Sequence, residues 1–251
     1  MDTAEPLLRK IDSYLNEVAG SASDTVQVGP FRAFFRRDSL MPELSYARPT
    51  ARLDDDARDG IRRVRAACAE RGRACRWEFL PDLHPGFAEM LTAEGFPEPA
   101  LRPLMAVEQE DFRAETLSSA EIRLLSPGET APISAVLAEA FGFAEGEGDA
   151  ADELAPMLAR GSVACGAWVD GVPAAGGLHV PRGDTTELAG IGTRERFRRR
   201  GIAGALTSAL AADAFHRGCR LVFLSAADEN VQRVYARLGF RVIGSAMDTT
   251  L

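Results

Sequence analysis

The chain has 251 residues, which allows one large domain or two modest ones. Hydrophobic residues make up 46% and charged residues 26%, an ordinary balance for a globular protein. The net charge of −8 argues against a nucleic-acid-binding protein, so an anion site would need a local basic cluster. The longest apolar helical stretch, 202–212, is too short to span a bilayer, so we expect no membrane partner.

The cysteine pattern indicates neither a metal site nor a disulfide framework. No CxxC pair and no metal-ligand spacing occurs among the four cysteines, Cys68, Cys75, Cys165 and Cys219. The first residues do not follow the pattern of a signal peptide. We therefore expect a cytoplasmic protein with reduced thiols and no metal.

The first half predicts helices over 4–19, 54–71 and 85–94, each with apolar residues at helical spacing. A strand-like run over 26–35 is interrupted at Gly29-Pro30, and two further strands are predicted over 76–80 and 101–107. The polar segment 111–120 lacks periodicity. We place the domain boundary there, which gives domains over 1–112 and 120–251.

The second half predicts strands over 121–125, 162–170, 173–180, 186–193, 221–225 and 241–249. Helices are predicted over 131–141, 150–159, 201–216 and 229–238, and a Gly/Glu-rich loop over 142–149. Asp170-Gly171 indicates a hairpin, and Gly239 ends the last helix. This order predicts an α/β (α+β) fold with a mixed, mostly antiparallel sheet flanked by helices.

A basic turn leads directly into the helix predicted over 201–216. The turn contains three consecutive arginines, Arg198, Arg199 and Arg200, and the helix opens with the small residues Gly201, Ala203 and Gly204. A helix N-terminus has unpaired backbone N–H groups and partial positive charge, and small residues let a phosphate approach that backbone. A solvated basic loop is the simpler interpretation. The combination favours a pyrophosphate site.

Two segments resemble the GNAT family (GCN5-related N-acetyltransferases). Residues 198–203 read Arg-Arg-Arg-Gly-Ile-Ala and match the family's acetyl-CoA signature, Gln/Arg-x-x-Gly-x-Gly/Ala. Residues 230–240 look like its N-x4-Y-x3-G-F segment. The order of elements agrees over about 120–250. Glu195 departs from the proline that the family often has before the phosphate turn.

The resemblance implies a role for each matching residue. The pyrophosphate would bind the basic turn and the helix start, which comprise Arg198, Arg199, Arg200, Gly201, Ile202, Ala203 and Gly204. The pantetheine arm would follow the strand that ends at Ile191, Gly192 and Thr193. Asn230 would contact the cofactor arm, and Tyr235 would lie near the thioester sulfur. The expected acyl donor is acetyl-CoA, with no metal.

The reaction needs a neutral amine, an oxyanion donor and a proton for the leaving thiolate. A tyrosine is protonated at pH 7, so Tyr235 can act as the general acid. A backbone N–H near Ile191 or Gly192 can serve the oxyanion. Glu187, on the same strand, is the candidate base, although an exposed strand carboxylate is an equally good interpretation and water could relay the proton. Asp184 and Asp228 are better explained as turn residues.

Residues 75–96 and 219–240 align without a gap at an offset of 144. Each begins with Cys-Arg, and Gly95-Phe96 matches Gly239-Phe240. The alignment either reflects chance similarity of two strand–helix units or indicates two tandem GNAT-like domains. The N-terminal half also resembles the degenerate first domain of some two-domain bacterial acetyltransferases.

The same offset places Asp54, Asp55 and Asp56 opposite the three arginines. Carboxylates at that place would repel a pyrophosphate, so the N-terminal domain is predicted neither to bind CoA nor to catalyse. The favoured function is an N-acetyltransferase that moves an acetyl group from acetyl-CoA to an amine of a small molecule or peptide. A non-catalytic CoA-binding regulatory module is the alternative. A monomer and a homodimer are both compatible with the sequence.

Overall fold

The computed structural model describes residues 4–37, 44–53, 56–142 and 154–251. It forms two compact units: Met1–Leu104 with Val242–Leu251, called unit 1, and Met105–Arg241, called unit 2. Across the described ranges, no helix combines the length and hydrophobicity that a membrane span requires.

Unit 1 is built on a sheet in the order β1-β2-β3-β4-β11. β3 and β4 are parallel, and the other neighbours in this order are antiparallel. Buried aromatic side chains form its core, where the Phe31 ring lies 4.9 Å from the Trp77 ring and 5.3 Å from the Phe87 ring. Its elements are α1 (Ala4–Ser21), β1 (Ser23–Val28), β2 (Phe31–Arg36), β3 (Tyr46–Pro49), α2 (Ala57–Ala69), β4 (Arg76–Phe79), α3 (Phe87–Ala93) and β11 (Arg241–Thr250).

β5 (Ala100–Glu108) leads from unit 1 into unit 2, whose sheet has the order β5-β10-β9-β8-β7-β6. The strands from β6 to β9 are antiparallel, and β9 pairs with β10 in parallel. The predicted mixed, mostly antiparallel sheet is therefore confirmed. The other elements of unit 2 are β6 (Glu121–Leu124), α4 (Ala131–Phe141), α5 (Leu154–Ala159), β7 (Val163–Val169), β8 (Val172–Arg182), β9 (Thr185–Thr193), α6 (Ile202–His216), β10 (Leu221–Ser225) and α7 (Glu229–Arg237).

The two units repeat one order of elements at the offset found in the sequence. Shifted by 144, the starts of α2, β4 and α3 become 201, 220 and 231, whereas α6, β10 and α7 start at 202, 221 and 229. In each unit a helix joins two parallel strands, as such a pair requires. Gly95 and Gly239, which match at this offset, have φ angles of +89° and +95°. The tandem fold expected from the repeat is confirmed.

Three features of the structure lacked a local sequence signal. The short strand β3 contains the buried Arg48 and ends at Pro49, so its composition resembles a loop. β11 was predicted as a strand, but it pairs with β4 of unit 1 rather than closing the second domain. That pairing joins residues far apart in sequence, and compact unit 1 accordingly comprises Met1–Leu104 together with Val242–Leu251.

Two predicted features fall wholly or partly outside the described residues. The Gly/Glu-rich stretch begins at Gly142, which ends α4 with φ of +78°, and residues 143–149 are not among those described. Of the acidic triplet only Asp56 is described. It is the N-cap of α2, and its side chain accepts no capping hydrogen bond.

A row of glycines crosses three strands of unit 2. Gly166 of β7 pairs with Gly176 of β8, which pairs with Gly192 of β9. A Cβ atom built on Gly176 would lie 2.3 Å from Cγ2 of Ile133 in α4. One built on Gly192 would lie 2.9 Å from Cβ of Ala140 in the same helix. The absence of side chains along this row lets α4 pack directly on the sheet, as close packing in protein interiors requires.

We therefore expect Gly176→Ala to destabilise the protein by about 1–3 kcal/mol, the usual cost of overpacking a core. Chemical denaturation followed by circular dichroism measures the change. Gly128→Ala is the matched control, because a Cβ atom there meets nothing within 4 Å. Equal stability of the two variants would show that the packing of α4 on the sheet does not depend on the row of glycines.

Candidate cofactor site

The parallel strands β9 and β10 pair over only a short distance. Their register runs through three residue pairs and ends at Glu187 and Phe223, although β9 continues to Thr193 and β10 to Ser225. On its other side β9 remains paired with β8 as far as Thr193. In the described part of the chain, the edge of β9 that faces β10 has no strand partner beyond Glu187. An extended ligand can use such backbone groups as an added strand would.

β9 contains a bulge in the part of the strand that has no partner on its β10 side among the described residues. The register passes from Leu178–Ala189 to Gly176–Gly192, so β9 has one residue more than β8 over this stretch. Gly190 has φ of +59°, a left-handed conformation that glycine adopts without steric cost. Such a bulge changes the direction of the following backbone groups and is common next to active sites. The backbone at Ile191 and Gly192, the predicted oxyanion donors, follows this bulge directly.

The turn between β9 and α6 is conformationally special. Gly201 is the N-cap of α6 with φ of +80°, and Arg199 has φ of +61°, which is rare for a residue with a side chain. Strained backbone of this kind concentrates at ligand sites. The first turn of α6 contains no acidic residue, and no side chain caps the helix. Its N-terminal N–H groups and positive dipole end thus remain available to an anion.

The turn, the helix start and α7 enclose a cavity of about 300 Å³. Seven predicted cofactor residues line it, namely Thr193, Arg198, Arg199, Gly201, Ile202, Ala203 and Gly204. Phe197, Val234 and Arg237 also line it and had no sequence signal, because they reach the cavity only through the fold. The bare helix start and the arginines supply N–H donors and positive charge, which is the donor set that a pyrophosphate requires.

The arginine side chains that line the cavity make different contacts. The Arg198 side chain donates through Nε to the backbone oxygen of Thr193, 3.1 Å away, which ties the turn to the end of β9. Nε of Arg237 lies 3.4 Å from a carboxylate oxygen of Glu115. The Glu115 carboxylate is also close to the helix start, because a Cβ atom on Gly204 would lie 3.4 Å from its Oε2 atom. Glu115 therefore holds Arg237 and limits the positive charge on that side.

Six of the predicted residues do not line this cavity, and four of them lie outside α7. The Arg200 guanidinium lies over the Phe197 ring, 5.4 Å from its centroid. Ile191 is half-buried against the main core of the unit, and Gly192 lies beneath α4. Glu187 is half-buried at the last position where β9 pairs with β10.

Asn230 and Tyr235 are both on α7. Asp228 caps this helix by accepting hydrogen bonds from the backbone N–H groups of Asn230 and Val231. The Asn230 side chain is exposed, and its Oδ1 atom lies 3.5 Å from Nη1 of Arg233. Tyr235 is 6% exposed and belongs to the core cluster against which Ile191 packs. Burial raises the pKa of Tyr235 to about 12, so its hydroxyl stays protonated near neutral pH.

Histidine and cysteine side chains could also take part in acid–base or nucleophilic chemistry, but His179 and the four cysteines are buried. His179 is fully buried, with Nδ1 3.1 Å from Oγ1 of Thr186 and Nε2 2.9 Å from Oδ2 of Asp213. Burial lowers the pKa of His179, so the ring links β8 to α6 in its neutral form. All four cysteines are buried and free. Within the described residues, no group of three potential metal ligands occurs.

Comparisons with known proteins agree with this geometry. Residues 132–240 match the model of the acetyltransferase (GNAT) family. The chain is similar to the structure of a GCN5-related N-acetyltransferase from Kribbella flavida, with 25% identity, a TM-score of 0.82, and coverage of 97% of this chain and 95% of that one. Curated protein sequences gave no match.

Two further structures share the fold over most of the chain. A putative acetyltransferase of the GNAT family from Novosphingobium aromaticivorans has 19% identity and a TM-score of 0.60, covering 98% of this chain and 97% of that one. A tandem GNAT protein from the clavulanic acid biosynthesis pathway has 16% identity and a TM-score of 0.59, covering 88% and 78%. Residues 132–240 thus match the GNAT acetyltransferase family, and the chain as a whole shares its fold with these structures, a tandem GNAT protein among them.

Proposed function

We propose that unit 2 transfers an acetyl group from acetyl-CoA to an amine of a small molecule or peptide. The observation that carries the proposal is that three features lie together. They are the cavity at the start of α6, the arginine turn beside it, and the edge of β9 that has no strand partner beyond Glu187 among the described residues. The first two suit a pyrophosphate, and the third suits an extended amide-containing arm. When bound, acetyl-CoA supplies the activated acyl group.

In this proposal the chain's own groups bind and orient the donor. The backbone of α6 from Gly201 to Gly204 and the side chains of Arg198 and Arg199 hold the pyrophosphate. The free edge of β9 up to Thr193 orients the arm, and Asn230 contacts it from α7. A backbone N–H at Ile191 or Gly192, directed by the bulge at Gly190, stabilises negative charge on the carbonyl oxygen.

Tyr235 is the proposed general acid for the leaving thiolate. Its raised pKa keeps the phenol protonated, and it packs in the same cluster as Ile191 of β9. Proton transfer from a positioned side chain contributes typically about 10²–10⁴-fold in rate. The base is Glu187 or a water molecule that relays the proton; Glu187 lies where the two parallel strands separate.

Unit 1 is proposed to bind no CoA. The start of α2 corresponds to the start of α6, but its first turn contains Asp59 and follows Asp56. The space over Gly60 is filled, because a Cβ atom there would lie 2.9 Å from the Phe31 ring. Negative charge and a filled approach both oppose a bound pyrophosphate.

Release of CoA thiol in the presence of an amine tests the proposed function. Purified protein is mixed with acetyl-CoA and a panel of primary amines, and free thiol is measured over time. The four cysteines are buried, so protein alone provides a low background. We expect at least one amine to raise thiol release above the rate without amine. CoA binding without amine-dependent release from a broad amine library would favour the regulatory module instead.

Gly201→Val should abolish CoA binding to the intact protein. A β-branched residue is strained at φ of +80° and would place a side chain at the opening of the helix start. Calorimetry measures the affinity, and wild type should show a single CoA site per chain. Gly218→Val is the matched control, since Gly218 has φ of +93° at the other end of α6. Unchanged affinity in Gly201→Val would exclude this site.

Tyr235→Phe should lower kcat by about 10²–10⁴-fold while leaving CoA affinity nearly unchanged. Only the hydroxyl is removed, and the ring can still pack 6.0 Å from the Phe240 ring. Single-turnover kinetics measures the chemical step, and calorimetry measures the affinity. A variant with the wild-type rate, under conditions in which chemistry limits turnover, would show that Tyr235 is not the acid.

A further inference from the structure

Unit 1 contains a cavity of about 900 Å³ that the proposed acetyl transfer does not use. It lies beyond the carboxyl ends of β3 and β4. These two strands are parallel and pair through Ala47 and Trp77. Carboxyl ends of parallel strands meet at one edge of a sheet, where ligands commonly bind. Its polar lining includes Arg9, Asp12, Ser13, Arg32, Arg52 and His84.

One polar face of α1 forms part of the wall. Arg9, Asp12, Ser13 and Asn16 follow the i, i+3, i+4, i+7 spacing that places side chains on one side of a helix. The buried residues of α1, such as Ile11, lie on a different side. The helix thus contributes apolar residues to the core and a separate polar face to the cavity.

The lining is positively charged, in contrast to the chain's net charge of −8. Three arginines and one carboxylate face the cavity. Arg9 is paired with Glu5, and Arg32 donates to the neutral Gln27 side chain. The Arg52 side chain is exposed and has no hydrogen-bond or ion-pair partner among the described residues. An exposed guanidinium on the wall of this cavity is suited to a carboxylate or another small anion.

Acceptor groups occupy another part of the lining. Asp12 is fixed by the buried Arg48, whose Nη2 atom lies 2.9 Å from its Oδ1 atom, and by a hydrogen bond from Nδ2 of Asn16. The Oδ1 atom of Asn16 and Nε2 of His84 are buried rather than exposed to the cavity, and neither has a hydrogen-bond partner among the described residues. Buried polar atoms of this kind are costly unless a partner is supplied. Burial lowers the pKa of His84, which leaves its ring neutral near pH 7.

This cavity is not a copy of the CoA site of unit 2. There the wall includes the first turn of α6, whereas no residue of α2 lines the cavity of unit 1. Recognition here depends on side chains of α1, of β2 and of the segments that follow β3 and β4. The wall therefore offers charged side chains instead of the helix N-terminus that suits a pyrophosphate.

We propose that this cavity binds a small molecule of amino-acid type, with its carboxylate on the arginines and its ammonium group on Asp12. The arginines supply the donors that a carboxylate needs, and the partly exposed Asp12 carboxylate supplies the acceptor that an ammonium needs. Unit 1 is then a ligand-binding domain in its own right. The binding does not depend on whether unit 2 transfers acetyl groups.

Calorimetry on the full chain tests this site with three sets of probes: the standard α-amino acids, the matching carboxylic acids without the amino group, and inorganic phosphate. We expect at least one amino acid to bind in a one-to-one ratio, and its deaminated counterpart to bind about 10-fold more weakly or worse. Arg52→Gln should weaken the amino acid about 10-fold or more, whereas Arg63→Gln, an exposed arginine of α2 outside the cavity, should not.

A second variant guards against indirect effects. Ser13 is exposed on the cavity-facing side of α1, so Ser13→Phe should fold normally and block the cavity. Gly201→Val should bind the amino acid as wild type does, which separates this site from the CoA site. The proposal is overturned if no amino acid binds, if only phosphate binds, if CoA competes for the site, or if binding survives Arg52→Gln and Ser13→Phe unchanged.

Discussion

The short pairing between parallel strands β9 and β10 is the constraint on which the site of unit 2 depends. A crossover helix is required to join two parallel strands, and α6 fills that role. Because the strands separate after Glu187 and Phe223, backbone groups of β9 remain free and the N-terminus of α6 opens beside them. A strand edge, a helix dipole and a cavity are thereby brought together by one feature of backbone topology. Side chains such as Arg198 and Arg237 then add charge at a place already suited to an anion.

The glycines of unit 2 have two separate physical functions. Gly190 and Gly201 provide left-handed backbone at the bulge and at the start of α6, next to the proposed cofactor site. Gly166, Gly176 and Gly192 instead provide close approach, because a methyl group at any of them would meet Ile133, Ala140 or Trp168 within 3 Å. Gly192 lies both in the row beneath α4 and at the predicted oxyanion position. A substitution at Gly192 would therefore affect both the packing of α4 on β9 and the proposed oxyanion position.

The two units share one backbone plan, but different polar groups line their cavities. Both contain a pair of parallel strands that separates, and both have a cavity lined by residues that follow the first of these strands. In unit 2 the small residues of α6 leave backbone N–H groups accessible. In unit 1 the Phe31 ring covers Gly60 of α2, and the polar groups come from α1 instead. The ring simultaneously packs against Trp77 and Phe87, so the change that closes the helix start also strengthens the core.

The sequence by itself determined most helices and strands, the tandem repeat, the basic turn and the small residues of α6, because hydrophobic periodicity and turn chemistry are local. It also singled out the segment that lines the cavity at the start of α6, the proposed cofactor site. Tertiary structure alone decided that β11 pairs with β4, that β3 is a strand despite the buried Arg48, and that Arg237 and Glu115 reach the helix start. It alone placed the polar face of α1 against a cavity. These features arise from contacts between residues distant in the chain, and local patterns carry no record of such contacts.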